Sequence, residues 1–321
     1  MISNKQLSNS PQSSSMLHYS PLVSIIIGNY NYDNFLGKAI NSALNQTYKN
    51  IEVIVVDDGS TDNSRDVIAN YGDQVISIIK ENGGQPSTYN AGFALSKGDI
   101  ICFLDSDDMF LLDKVARIVT IFEAYQEIDW CFHSLQLIDE NDKLLGRTTT
   151  VNYKSGDRDY REIFKRGKIP PSLPPCATLC FKRSLLEQIL PMPTSKYMPA
   201  SDFYIKYMAA ALSKGFILAE DLTLQRIHGK NMATLRDDVL HKKAREQLFT
   251  GSWIRQEFPY LKKFANKLVA VGRALNWKAG NTDIENSNAI NQYFSSVSFW
   301  EKYKINSITL YYYIRNKLQG R

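Results

Sequence analysis

Residues 51–64 read IEVIVVDDGSTDNS. Apart from Glu52, the run from Ile51 to Val56 is apolar and β-branched, the composition of a strand covered on both faces of a parallel sheet. It stops abruptly at Asp57-Asp58-Gly59-Ser60, and a helix is expected to start after Thr61-Asp62 and stop at Gly72. A strand that ends in carboxylates and turns through glycine into a helix is the repeating unit of open α/β sheets. Ligands of such sheets sit beyond the carboxyl ends of the strands.

The pattern extends on both sides. Leu22 to Ile27, Val75 to Ile79 and Ile100 to Leu104 read as further strands. Phe35, Leu36, Ala39, Ile40, Ala43 and Leu44 recur at helical spacing, with Asp33 as a candidate N-cap. A third helix is expected over Thr88 to Ser96, before Gly98. The fold class is therefore α/β, a mainly parallel sheet flanked by helices. After Asp108 the character shifts: a helix over Lys114 to Ala124, then a hairpin in which Asp129 to Ile138 turns at Glu140-Asn141-Asp142 and returns through Leu144. Pro170 to Pro175, with four prolines in six residues, must be irregular and is expected near the acceptor entrance. Beyond Asp238 the pattern is helical and ends in an aromatic, basic segment, Tyr293 to Arg321. The expected divisions are a flexible tail over 1–20, a first half over 21–115, a second half of the same domain over 116–238, and a helical C-terminal extension over 239–321.

Composition narrows the function classes. With 44% hydrophobic and 22% charged residues, the 321-residue chain is ordinary globular material. Cys102, Cys131, Cys176 and Cys180 are too few and too irregular for a disulfide framework, and each is expected to be a small buried hydrophobe. No apolar run is long enough for a secretory signal or a membrane span, so a cytoplasmic protein is expected. A net charge of +5 gives no ground for a nucleic-acid partner.

Three strand ends carry unusual polar text: Gly28-Asn29-Tyr30-Asn31, Asp57-Asp58-Gly59-Ser60 and Asp105-Ser106-Asp107-Asp108. Each alone fits a solvated turn. Together they crowd carboxylates that repel one another unless donors or a cation hold them. Mg²⁺ or Mn²⁺ answers that need with oxygen ligands, one or two carboxylates and substrate phosphates.

Pro21 to Val115 resembles the donor-binding half of a family 2 glycosyltransferase of the GT-A fold. The resemblance rests on VSIIIGNYN, QTYKNIEVIVVDDGSTDNS, ENGG, YNAGFALSKGD and CFLDSDD, in that order. It implies a nucleotide-sugar donor, Tyr30 stacked on the nucleobase, Asp58 accepting from a uracil nitrogen, Asp105 on the ribose and Asp107 on the metal, with Asp57 and Asp108 as second choices. Gly84, Asn90 and Gly92 match a loop-to-helix segment that lines the same pocket, Asn90 more as support than as contact; Gly28, placed with the donor-binding residues, stands where the family often has Pro or Thr. Ser201-Asp202 matches the acceptor-side acid, which makes Asp202 either the general base or a helix N-cap; the family's preceding Glu is replaced by Ser201. Arg226-Ile227-His228 resembles the family's Arg-x-His segment, placing Arg226 near the diphosphate and His228 on the metal or phosphate, with a surface His as the alternative.

What the resemblance implies is inverting, metal-dependent transfer of a single sugar, from UDP by preference, to a saccharide or lipid-linked saccharide acceptor in polysaccharide biosynthesis. The Gln-x-x-Arg-Trp of processive synthases is absent, and no Gly-x-Gly-x-x-Gly follows the first strand as a dinucleotide enzyme would need. A non-catalytic nucleotide-sugar-binding protein of the same fold is the rival. The C-terminal segment either packs on the domain or makes peripheral contact with the inner face of the membrane.

Overall fold

The computed structural model describes residues 20–146, 153–195, 197, 202–229 and 239–318. Residues 1–19 of the N-terminal tail, Ser201 and Lys230 to Asp238 thus lie outside the described residues. In chain order the elements are β1 (Val23–Asn29), α1 (Asp33–Leu44), β2 (Ile51–Asp57), α2 (Ser64–Ala69), β3 (Ile76–Ile79), α3 (Gln85–Leu95), β4 (Ile100–Asp105), β5 (Met109–Phe110), α4 (Lys114–Ala124), β6 (Trp130–Ile138) and β7 (Leu144–Gly146). They continue as β8 (Gly156–Arg158), α5 (Arg161–Lys165), β9 (Leu179–Lys182), α6 (Arg183–Leu186), α7 (Asp202–Leu212), β10 (Gly215–Arg226), α8 (Val239–Glu257), α9 (Lys262–Lys278), α10 (Ile284–Ser295) and α11 (Phe299–Leu318).

One mixed sheet runs β3-β2-β1-β4-β9-β6-β10-β5, with β7 on β6 and β8 on β10. The pairs β2–β3, β1–β2, β1–β4 and β6–β10 are parallel, and β9 is antiparallel to both β4 and β6. Strands β1, β2, β4, β6 and β10 therefore all present their carboxyl ends along one edge. That edge collects the polar text that follows each apolar run.

Alternation along the strands divides the interior into two layers. Val23, Ile25 and Ile27 face α1 and α4, packing on Leu36, Ala39, Ile40, Val115 and Ile118. Ile26, Ile54 and Val56 face the other way, toward Tyr89, Phe103 and Phe181. That second layer also takes Trp253, Ile254 and Phe264, so α8 and α9 of the C-terminal extension close the main core and do not stand apart from it. A smaller cluster, including Leu248, Val269, Tyr293 and Ile305, ties α10 and α11 to α8 and α9.

Several local expectations change. Asp33 is the first residue of α1 and not its cap; its Oδ2 accepts from the Asn63 N–H at 3.2 Å while its own N–H donates to Asp62 Oδ2 at 3.0 Å, tying two loops together. Helix α2 ends at Ala69, and a 3-10 turn over Gly72–Gln74 follows. Strand β3 is an edge strand whose Ile76 and Ile79 are exposed, so it is not covered on both faces. The hairpin is present as β6 and β7, with Leu137 opposite Gly146. All four cysteines are buried and free.

Helix α3 lies close on the sheet because Gly92 has no side chain: a Cβ there would meet Ile26 Cγ2 at 2.4 Å and Val56 Cγ2 at 3.3 Å. Gly28 does the same from the strand side, where a Cβ would meet Thr88 Oγ1 at 3.1 Å. Gly92→Ala is expected to destabilise the protein by about 1–3 kcal/mol, the usual cost of overpacking a filled core, read from the urea midpoint. An unchanged midpoint would mean that α3 can lift off the sheet without loss.

Candidate active site

The site is built around the loop that leaves β4. Arg226, at the end of β10, is fully buried and fixes that loop. Its backbone N–H donates to Asp108 Oδ1 at 2.9 Å and its Nε to the Asp107 carbonyl at 3.0 Å. Its Nη1 donates to the Asp139 and Glu140 carbonyls and pairs with Asp142 at 2.6 Å, while the guanidinium lies 4.8 Å from the Phe35 ring centroid. Arg226, read from the sequence as a diphosphate contact, thus holds the loop after β4, the β6–β7 turn and α1 in one arrangement. Two residues on, His228 is buried between Tyr32 and Phe35, with its Nε2 3.1 Å from Asp107 Oδ2. The surface-histidine alternative is thereby removed.

A carboxylate and an imidazole converging at 3.1 Å is a two-ligand start for Mn²⁺ or Mg²⁺. Among the described residues no group of three His, Cys, Asp or Glu side chains could hold a metal. The pair fits a cation that completes its shell with diphosphate oxygens and water, and it does not fit a closed structural site. Charge around it is unbalanced. Burial, then Asp107 and Asp202, push the Asp105 carboxyl up to about 7, and burial, then Asp107 and Asp105, raise Asp108 well above its ordinary value, partly offset by Arg226. Asp108 Oδ2 is a buried acceptor with no donor among the described residues.

On the donor side Tyr30, just past β1, is 45% exposed, so its ring is available for stacking and is not core packing. Asp58 is buried and accepts from the Gly83 N–H at 3.0 Å, the Gly84 N–H at 2.8 Å and Lys80 Nζ. Three of its roughly four lone-pair positions are taken, leaving one on Oδ2. Asp57 accepts from Asn29 Nδ2 and the Ser60 N–H, and so shapes the turn. Asp105 accepts from Gln85 Nε2 at 3.2 Å and faces Cys176 Sγ at 3.6 Å. Asn90 is not a ligand-facing group: its amide donates to the Met192 carbonyl at 2.8 Å and accepts from the Met192 N–H at 2.9 Å, clipping α3 to the segment before α7.

Asp202 opens α7 and is bridged to Lys206 Nζ at 2.9 Å, one turn along the same helix. The two groups that it shares its surroundings with were not read from the sequence. Lys206 is the first. The second is Glu246, buried on α8, whose carboxyl is pushed up to about 8 by burial and then by Asp202, partly offset by Lys206, Lys243 and Lys242. A separate cavity of about 610 Å³, lined by Asp99, Lys182, Arg183 and Glu187, opens at the amino ends of the strands, far along the chain direction from these carboxylates.

Glu246 makes stability depend on pH. Between its ordinary 4.5 and about 8 the native state holds a proton that the unfolded chain releases, so stability falls as pH rises through that window and levels off above it. Glu246→Gln removes this loss. Its melting temperature should match the wild type near pH 4.5 and exceed it by about 2–6 °C above pH 8, by calorimetry across pH. A pH-independent difference would mean that Glu246 is ionised throughout.

With that geometry in view, the comparisons are consistent with one another. A sequence profile of glycosyl transferase family 2 matches residues 24–190, more than half of the chain. An uncharacterised glycosyltransferase of Nostoc sp. is 39% identical over 213 residues, covering 65% of this chain and 66% of that protein. WfaP of Escherichia coli, a UDP-Glc:α-D-GlcNAc-diphosphoundecaprenol β-1,3-glucosyltransferase, is 42% identical over 105 residues, 32% of this chain and 42% of that protein. The matched region thus spans just under two thirds of the one relative and about two fifths of the other. In fold, TarS residues 1–349 of S. aureus, solved with UDP-GlcNAc, superposes with a TM-score of 0.62 at 15% identity, over 94% of this chain and 92% of that one. The polar strand ends, the GT-A-like sheet and the profile agree: this chain belongs to glycosyl transferase family 2.

Proposed function

We propose that the protein transfers a single sugar from a nucleoside diphosphate donor, uridine by preference, to an acceptor hydroxyl with inversion at the anomeric carbon. The observation that carries the reading is the convergence of Asp107 and His228 at 3.1 Å on the same sheet edge as Tyr30 and Asp58. Tyr30 offers a base-stacking face, and the remaining lone pair of Asp58 accepts from the uracil N–H. The acceptor is a saccharide, and a lipid-linked one is supported by the chemistry named for the E. coli relative.

The acceptor oxygen attacks the anomeric carbon, the bond to the diphosphate oxygen breaks, and negative charge grows on the leaving group. When bound, a divalent cation supplies positive charge beside that diphosphate. Asp107 and His228 are the groups that would hold it, kept in register by Arg226. Asp202 takes the acceptor proton, with one of its oxygens oriented by Lys206. The Pro170–Pro175 loop borders the acceptor side: Leu173 packs into the same layer as Tyr204 and Tyr207 of α7.

Two substitutions test separate halves of the site. Asp107→Asn should remove the Mn²⁺ dependence of UDP binding in calorimetric titration while leaving the fold intact, and unchanged affinity would take Asp107 out of the metal site. Asp202→Asn should keep donor binding and lose transfer, or donor hydrolysis in the absence of acceptor, by roughly two to four orders of magnitude. Near-normal turnover in the Asn variant would mean that Asp202 is a structural residue of α7. Binding of nucleotide sugar without any turnover in the wild type would favour a non-catalytic binding protein.

A further inference from the structure

Helix α11 buries one face and leaves the opposite face bare. Ile305 and Thr309 are fully buried against the α8–α10 cluster. At 3.6 residues per turn, Phe299, Tyr303, Leu310 and Ile314 fall within an arc of about 60°, and Trp300, Tyr311 and Leu318 extend it, centred about 180° from Ile305. All of these are exposed, Phe299 at 74% and Trp300 at 71%. An apolar stripe this long on one helix is more than the scattered surface apolar residues that need no explanation.

Charge decides what fits it. Lys304 and Arg315 flank the stripe on one side, Lys302 and Lys317 on the other. The one acid of the helix, Glu301, turns inward to Arg255 at 3.0 Å. Four cations and no outward acid thus frame a band of Phe, Trp, Tyr, Leu and Ile. A second copy of the chain would oppose like charge with like charge. A surface of anionic lipid headgroups pairs with the cations while the rings enter the boundary with the acyl chains, the setting that Trp and Tyr favour. We propose that α11 lies flat on an anionic membrane surface and docks the enzyme there. This goes beyond the transfer reaction and does not rest on it.

The test is flotation of the full chain with phosphatidylcholine vesicles and with vesicles of phosphatidylcholine mixed with phosphatidylglycerol. The expected result is binding to the anionic vesicles, weakened by salt, and little to the neutral ones. Phe299→Ala/Trp300→Ala/Tyr303→Ala, all at exposed positions, should lower binding at least about tenfold, and Lys304→Glu/Arg315→Glu should do likewise. Both variants should keep the wild-type melting temperature, which excludes misfolding as the cause. Equal flotation of wild type and variants overturns the proposal. So does absence of flotation in a wild type that sediments as a dimer and becomes monomeric in the aromatic variant, since the stripe would then be an interface between copies.

Discussion

The buried guanidinium of Arg226 is the constraint on which the site depends. Its Nε and Nη1 donate to backbone carbonyls of two loops, Nη1 pairs with Asp142, and its backbone N–H donates to Asp108. A buried cation left without such partners would be costly, and the loops would have no reason to meet without it. Because the clamp is at the end of β10, it also sets where His228 emerges. The spacing between Asp107 and His228 is thus a product of packing one residue pair away, and the apolar box of Tyr32 and Phe35 keeps the imidazole from turning elsewhere.

Around that fixed frame the electrostatics are deliberately uneven. Asp105, Asp107 and Asp108 stand at the carboxyl end of β4 and Asp202 opens α7 near enough to act on Asp105, while Arg226 is committed to the loops and Lys206 to Asp202. Burial and mutual repulsion raise Asp105 to about 7 and Asp108 well above its ordinary value, so part of the repulsion is relieved by these carboxyls keeping their protons.

Much of this was legible in the sequence because strand ends are written locally. A run such as Ile51 to Val56 followed by Asp57-Asp58-Gly59 shows both the element and the edge on which its polar residues stand. What could not be read lies in partnerships without local text. Nothing near Arg226 announces that its side chain turns inward to carbonyls of residues 107, 139 and 140. Asn90 sits in matching family text, yet its amide is satisfied by the backbone of Met192, about a hundred positions away. Glu246 lies in a helix of ordinary polar composition, and only the packing of α8 on α7 reveals that it is buried beside Asp202. Residues 1–19 of the tail, Ser201 and Lys230 to Asp238 lie outside the described residues.

The helices after residue 238 carry a consequence for how a chain of this fold can vary. Helix α8 fills the core with Trp253 and Ile254 and, on the same few turns, brings Glu246 close to Asp202. Any exchange of segments between relatives that cuts before α8 would separate Asp202 from the residues that both charge its surroundings and seal the core behind it. The unit that can be inherited or recombined as a folded whole therefore runs across the apparent boundary at 238.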